Sequence, residues 1–199
     1  MRSAQNLYEA GLITYLRTDG INISTSPNTG EPFSEENPGP PPLEEIRNVI
    51  SEKFGKKFLS DDVRVYKSKV KNSQEAHEAI RPTNIKTYPE KINLGQDEQK
   101  LYTLIWNRTV ASQMSNSEHE RKKIVVHSEN DKFVLNASSR KTIFEGFETL
   151  SKKDSSEALD FPEDLKEKEK VNFLEFISEQ KFTSPPNRYS EASLIKKME

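Results

Sequence analysis

Tyr15, Arg17 and Asp19 occupy alternate positions in the run Thr14-Tyr15-Leu16-Arg17-Thr18-Asp19, just after a short apolar stretch. In an extended segment residues two apart point the same way, so these three would share one face and Leu16 and Thr18 the other. That face offers a nucleophile, a phosphate-gripping cation and an acid able to orient the cation. A phenol, with a pKa near ~10, attacks well only when a neighbour helps remove its proton or stabilises the developing charge. Arg17 suits that task, because its planar fork can hold a phosphate bidentately beside the attacking oxygen. The competing reading is an aromatic packed half-buried beside a solvated charge, the commoner meaning of such alternation.

A second group lies in Ser73-Gln74-Glu75-Ala76-His77-Glu78-Ala79-Ile80-Arg81-Pro82-Thr83. Asn72 with Glu75 reads as a capping box and Pro82 as a stop, which predicts a helix carrying His77 and Arg81 one turn apart on one side. An imidazole and a guanidinium so placed can hold a non-bridging phosphate oxygen, and the imidazole can exchange a proton near neutral pH. The alternative is an exposed helix with Glu78 and Arg81 in a weak ion pair.

Both stretches carry a resemblance. The run Ala4-Gln5-Asn6-Leu7-Tyr8-Glu9-Ala10-Gly11-Leu12-Ile13 continuing through Asp19 resembles the active-site tyrosine motif of the type IA DNA topoisomerases. Ser73 to Thr83 resembles that family's second signature, in the family's order. Leu16 between Tyr15 and Arg17, and Glu78 with Arg81 after His77, look more like the topoisomerase I branch than the topoisomerase III branch. Gly20 departs from the pattern, which usually has serine after the aspartate.

The resemblance implies an α+β fold: a mixed helical active-site-tyrosine domain over residues 1–116, then part of an antiparallel β arch over 117–182, in a toroidal enzyme. Residues 183–199 would begin the return to the DNA-binding base. It implies that Tyr15 attacks a phosphodiester to form a 5′-phosphotyrosyl link, with Arg17 stabilising the transition state. His77 with Arg81 would position the scissile or a neighbouring phosphate, Asp19 would orient Arg17 or His77, and Thr18 joins them among the DNA-contacting residues. Magnesium would be bound by an acidic domain absent from this chain, and no ATP would be needed. The implied partners are single-stranded DNA segments, negatively supercoiled duplex and the remaining domains of the same enzyme. Met1 directly before the first motif and Glu199 in mid-helix look like the cuts of a fragment, which would then not relax DNA by itself. A reading from another class is a non-catalytic single-stranded DNA-binding or interaction module with a structural tyrosine. Tyrosine recombinases also join tyrosine to DNA, but they place it after their histidine and arginine residues, and here Tyr15 comes first.

The elements that must position these residues are modest. The 199 residues are 32% apolar, lean for one large core, and 31% charged with a formal net charge of −2, which argues against an isolated high-affinity DNA binder. Absence of cysteine removes disulfides, thiolate catalysis and cysteine-based zinc sites. His119 and His127 lack partners at metal-ligand spacing, so no metal site is expected within the chain. No apolar run approaches the ~20 residues that span a bilayer, and nothing resembles a signal peptide. The expectation is a soluble, cytoplasmic, nucleoid-associated protein with no membrane partner.

Ser3 begins a short helix that Gly11 closes. Residues 27–42 hold six prolines, an insertion with little to bury. Helical spacing returns at Leu43, Ile46, Val49, Ile50 and Phe54, and again from Asp97 to Met114 with an apolar face of Leu101, Leu104, Ile105, Val110 and Ala111. Tyr102 and Trp106 in that helix are taken as core, in preference to a base-stacking platform. Lys123–His127, Lys132–Ala137, Thr142–Phe147 and Val171–Ile177 read as strands, and Ser190 as the cap of a last helix.

Overall fold

The computed structural model describes residues 2–18, 20–26, 39–66, 78–130, 132–151, 161–162, 164–172, 174–175 and 177–198. Two compact units divide the chain, Met1–Phe161 and Pro162–Glu199. The expected boundaries after residues 116 and 182 each fall inside one of them.

Helix α1, Arg2–Glu9, ends as its sequence requires. Gly11 takes a left-handed φ of 67°, its N–H donates to Tyr8 O, and the Leu12 N–H donates to Leu7 O. This pair of bonds is a Schellman closure, with Leu7 buried and Leu12 packed against the same core. Helix α2, Pro42–Lys53, starts on the last proline of the Pro-rich stretch, where a missing N–H costs no helical bond. Residues 27–38 of that stretch lie outside the described residues. Glu44 and Glu45 open α2 and Lys53 closes it, each of favourable sign for the helix dipole.

Helix α3, Gln96–Ala111, is the expected long helix, ending three residues before Met114. Tyr102, Trp106 and Val110 are buried, joining Leu7, Ile13, Ile46, Val49, Ile50, Ile85 and Met114 in the core. Leu104, expected on the apolar face, is instead 58% exposed. The two aromatic residues are core as expected, and both reach outward with a polar atom. The Tyr102 hydroxyl donates to Thr87 O at 2.8 Å, and Trp106 Nε1 donates to Ile85 O at 2.9 Å. Lys53 Nζ meets Glu90 Oε1 at 2.7 Å while lying 4.3 Å from the Tyr88 ring centroid and 5.0 Å from that of Trp106.

After α3 the chain forms one hairpin, β1 (Glu118–His127) against β2 (Val134–Phe144), antiparallel and two-stranded. Thr142–Phe147, expected as a strand of its own, divides between the end of β2 and a 3₁₀ turn over Gly146–Leu150. The hairpin is tied down at its base. Phe144 packs on Phe58 with centroids 4.9 Å apart, and Gly146 sits so close to the chain entering β1 that a Cβ there would lie 2.3 Å from Asn116 O.

Within Pro162–Glu199, helix α4 covers Glu191–Met198, with Ser190 accepting the Leu194 N–H at its carbonyl and the Ser193 N–H at its hydroxyl. Ser190 is thus the cap expected. The described residues between Val171 and Ile177 form no strand, contrary to expectation, and leave Leu174 and Ile177 exposed. No strand among the described residues pairs with them, so their backbone joins no ladder there.

Candidate active site

The segment bearing Tyr15 is not a strand. Ile13 makes one isolated antiparallel bridge to Pro82, and the chain then bends at Leu16 and Arg17. Exposure nevertheless alternates: Tyr15 and Arg17 are exposed, whereas Thr14, Leu16 and Thr18 are half-buried. What replaces a ladder is a set of threonine hydroxyls. Thr14 Oγ1 donates to Ala79 O at 3.1 Å and accepts the Arg81 N–H at 3.0 Å, while the Thr14 N–H donates to Arg81 O at 2.9 Å. Thr18 Oγ1 donates to Glu78 O at 3.1 Å. On the near side, Thr83 donates its N–H to Leu12 O and its hydroxyl to Gly11 O. Tyr15, Leu16 and Arg17 therefore span a short arc held at both ends, by Thr14 and Thr18, on the consecutive carbonyls of Ala79 and Glu78.

The second motif departs from expectation in the part that is described. Glu78, Ala79, Ile80 and Arg81 are not helical. Their backbone groups are engaged across the chain: the Ala79 N–H donates to Asn22 O and the Arg81 N–H to Thr14 Oγ1, which leaves no i to i−4 ladder. Pro82 also disfavours helix at the residue before it. His77 and the rest of the expected helix from Asn72, like Asp19, lie outside the described residues.

Arg81 is 7% exposed. Its Nε donates to Glu78 Oε2 and its Nη2 to Glu78 Oε1, both at 2.9 Å, and its Nη1 donates to Pro82 O at 2.9 Å and to Thr83 O at 3.4 Å. The pair is three residues apart, as the weak-ion-pair reading had it, yet it is bidentate and inward-facing instead of solvated. Thr18 is likewise committed: its hydroxyl holds Glu78 O and accepts the Gly20 N–H at 2.9 Å. Tyr15 is 43% exposed, and its ring meets that of Tyr8 on α1 with centroids 5.7 Å apart and planes at 72°. This edge-type contact limits how the phenol can swing.

Asn22 brackets the Tyr66 backbone, its Nδ2 donating to Tyr66 O and its Oδ1 accepting the Tyr66 N–H, both at 2.8 Å. Neither Thr14, Asn22 nor Tyr8 stood out in the sequence, since short polar side chains that hold backbone at a distance leave no periodic trace. Chemically the arrangement presents an accessible phenol and, two residues on, an exposed guanidinium, on a scaffold whose own polar groups are internally satisfied.

The family model described as DNA topoisomerase matches residues 1–199. This chain belongs to the DNA topoisomerase family. DNA topoisomerase 1 of Rickettsia bellii is 42% identical over 214 residues, covering 100% of this chain and 25% of its own length. DNA topoisomerase 1 of Helicobacter pylori strain 26695 is 41% identical over 209 residues, covering 100% of this chain and 26% of its own. The solved structure of full-length topoisomerase I from Thermotoga maritima superposes with a TM-score of 0.63 at 31% identity, covering 100% of this chain and 30% of that one. The type IA topoisomerase I branch and the α+β fold are those the motifs indicated. This topoisomerase segment spans about a quarter of the length of the curated relatives it matches. Among its described residues no helix is long and apolar enough to cross a membrane, and no three His, Cys, Asp or Glu residues gather as metal ligands would.

Proposed function

We propose that this chain carries the strand-cleaving tyrosine of a type IA DNA topoisomerase, an enzyme that opens one DNA strand, passes the other and reseals the first, relaxing negative supercoils. The observation that supports this best is the short arc itself: Tyr15 and Arg17 are exposed on a segment whose two flanking threonines are fixed to Ala79 and Glu78. Tyr15 Oη attacks the phosphorus of a phosphodiester in a single-stranded segment. The P–O3′ bond breaks, the 3′ oxygen leaves as the hydroxyl and the 5′-phosphotyrosyl ester forms. Arg17 grips the non-bridging oxygens as charge builds on them. Attack by the 3′-hydroxyl reverses each step, and because a phosphodiester is exchanged for a phosphoester of similar energy, no ATP is required. His77 and Asp19 keep the roles their sequence positions imply, holding a phosphate and orienting Arg17 or His77.

Magnesium does not fit the described residues, which offer no ligand cluster. We place it on a domain outside this chain, and no step above depends on it. In this reading residues 1–116 form the tyrosine domain, 117–182 part of an arch and 183–199 the return toward the base. DNA and the enzyme's remaining domains are the partners, in the cytoplasm at the nucleoid.

The test is covalent trapping. The full-length enzyme bearing this segment is mixed with an end-labelled single-stranded oligonucleotide and quenched with detergent, and label is sought on the protein. Label that disappears in Tyr15→Phe while DNA binding persists supports the proposal. Adduct surviving in that variant removes Tyr15 as nucleophile, and no adduct from folded, DNA-bound protein favours the non-catalytic module.

A further inference from the structure

We propose that Glu78 and Arg81 act as a positioning pair that sets the Tyr15 arc, and that Arg81 is not itself a phosphate ligand; this rests on the reading of Tyr15 as nucleophile. A guanidinium has five N–H donors. Here four bonds already reach Glu78 Oε1, Glu78 Oε2, Pro82 O and Thr83 O, from a side chain that is nearly buried. Seizing a DNA phosphate would mean breaking a bidentate ion pair and abandoning two carbonyls. The same pair shapes the backbone that carries Tyr15. With the two side chains locked across a non-helical turn, Glu78 O and Ala79 O are presented side by side to the hydroxyls of Thr18 and Thr14, and the Arg81 N–H and C=O both close on Thr14. Glu78 Oε2 also accepts the Ser24 N–H at 3.4 Å, which links the turn to the chain beyond the motif. The arc bearing Tyr15 and Arg17 is thus registered by a pair that need never touch DNA.

Two readings of Arg81 give opposite results in one variant. Glu78→Gln keeps the shape and removes the charge that retains Arg81. If Arg81 is a masked phosphate ligand, freeing it tightens DNA binding and steepens the salt dependence. If it positions, the arc loosens, binding is unmoved and the chemical step slows.

The experiment uses the full-length enzyme, single-turnover cleavage of an end-labelled single-stranded oligonucleotide, Kd by fluorescence anisotropy at several salt concentrations, and Tyr15→Phe as control. For Glu78→Gln we expect cleavage to fall on the order of 10²-fold, the usual consequence of displacing a reacting group by about 1 Å. Kd should stay within about twofold and the slope of log Kd against log salt should not change. Should Glu78→Gln melt below the assay temperature, Thr18→Val removes the hydroxyl that holds Glu78 O and accepts the Gly20 N–H, and should lower cleavage about tenfold, again at constant Kd. Cleavage at the wild-type rate in a folded variant would overturn the positioning role. So would tighter binding in Glu78→Gln, or a salt slope reduced by about 0.7 in Arg81→Gln, the signature of one lost phosphate contact on a single strand. Adduct persisting in Tyr15→Phe would instead overturn the nucleophile reading and leave the Kd arms to judge Arg81 on their own.

Discussion

The Tyr15 arc and the β1–β2 hairpin are ordered by opposite means. The hairpin has the full apparatus of regular structure, with Ile124 opposite Ala137, Val126 opposite Leu135 and Arg121 opposite Arg140 along an antiparallel ladder. Yet Leu135 and Ile143 are more than half exposed, and a two-stranded ribbon with uncovered faces has little beyond its ladder to hold it. The arc has no ladder, but threonine hydroxyls and a largely inward-facing ion pair hold it at both ends. Regularity and rigidity are therefore separate properties in this chain, and the chemistry sits on the irregular part.

The harshest way to break that contrast is at the hairpin's base. Gly146 has a φ of 49° and backs onto Ser115 and Asn116, so Gly146→Ala forces a Cβ to within 2.3 Å of a backbone oxygen. Backbone must move, and the expected loss is about 3 to 4 kcal/mol, read as a fall in the urea midpoint. A loss below about 1 kcal/mol would mean that the hairpin tilts freely on its base and is not fixed there at all.

The next test strikes the core that Ile13, just before the arc, shares with Tyr102. Burial raises the Tyr102 hydroxyl to about 12, and that hydroxyl donates to Thr87 O, beside the Ile85 carbonyl held by Trp106. The folded protein keeps this proton when the unfolded chain, near ~10, has lost it. The stabilisation is therefore complete below pH 10 and is lost as pH rises toward 12, by roughly 2 to 3 kcal/mol in all. Thermal unfolding followed from pH 9 to 12 should show this decline in the wild type and a shallower one in Tyr102→Phe. Identical slopes would remove Tyr102 as the cause.

How far the sequence disclosed these two regions follows from what each is made of. Helices α1 and α2 and most of α3 were legible because their apolar residues recur at helical spacing and Gly11 can only mark an end. The Tyr15 arc misled in form while keeping its function: exposure alternates as in a strand, so Tyr15 and Arg17 come out together, but the partner is a pair of carbonyls reached by side chains. Glu78 and Arg81 form an i, i+3 pair downstream of the capping box read at Asn72 and Glu75, both good helical signs, yet from Glu78 to Arg81 tertiary hydrogen bonds to Asn22 and Thr14 prevailed. Val171 to Ile177 shows the reverse, strong β propensity in a segment whose described residues pair with no described strand.

A smaller effect separates the two kinds of order more cleanly. Thr14→Val keeps shape and propensity but leaves Ala79 O and the Arg81 N–H without their partner. About 2 kcal/mol of destabilisation is expected, with covalent trapping falling further than stability accounts for. Trapping that merely tracks the folded fraction would make Thr14 a stability residue and nothing more.

The smallest expected effect is the one that reads the hairpin's surroundings. Leu135 is 55% exposed in this chain, so Leu135→Ala should change the stability of the 199-residue protein by no more than about 0.5 kcal/mol. If the hairpin is a piece of an arch completed by other parts of a longer enzyme, the same side chain is covered there, and the substitution should cost 2 kcal/mol or more, as a buried leucine does, about the range of 2 to 5. Paired urea titrations of the chain and of the full-length enzyme measure the difference. Equal, small losses in both would mean that the face stays in water, leaving the hairpin an appendage and the arc the better-ordered of the two regions in the intact enzyme as well.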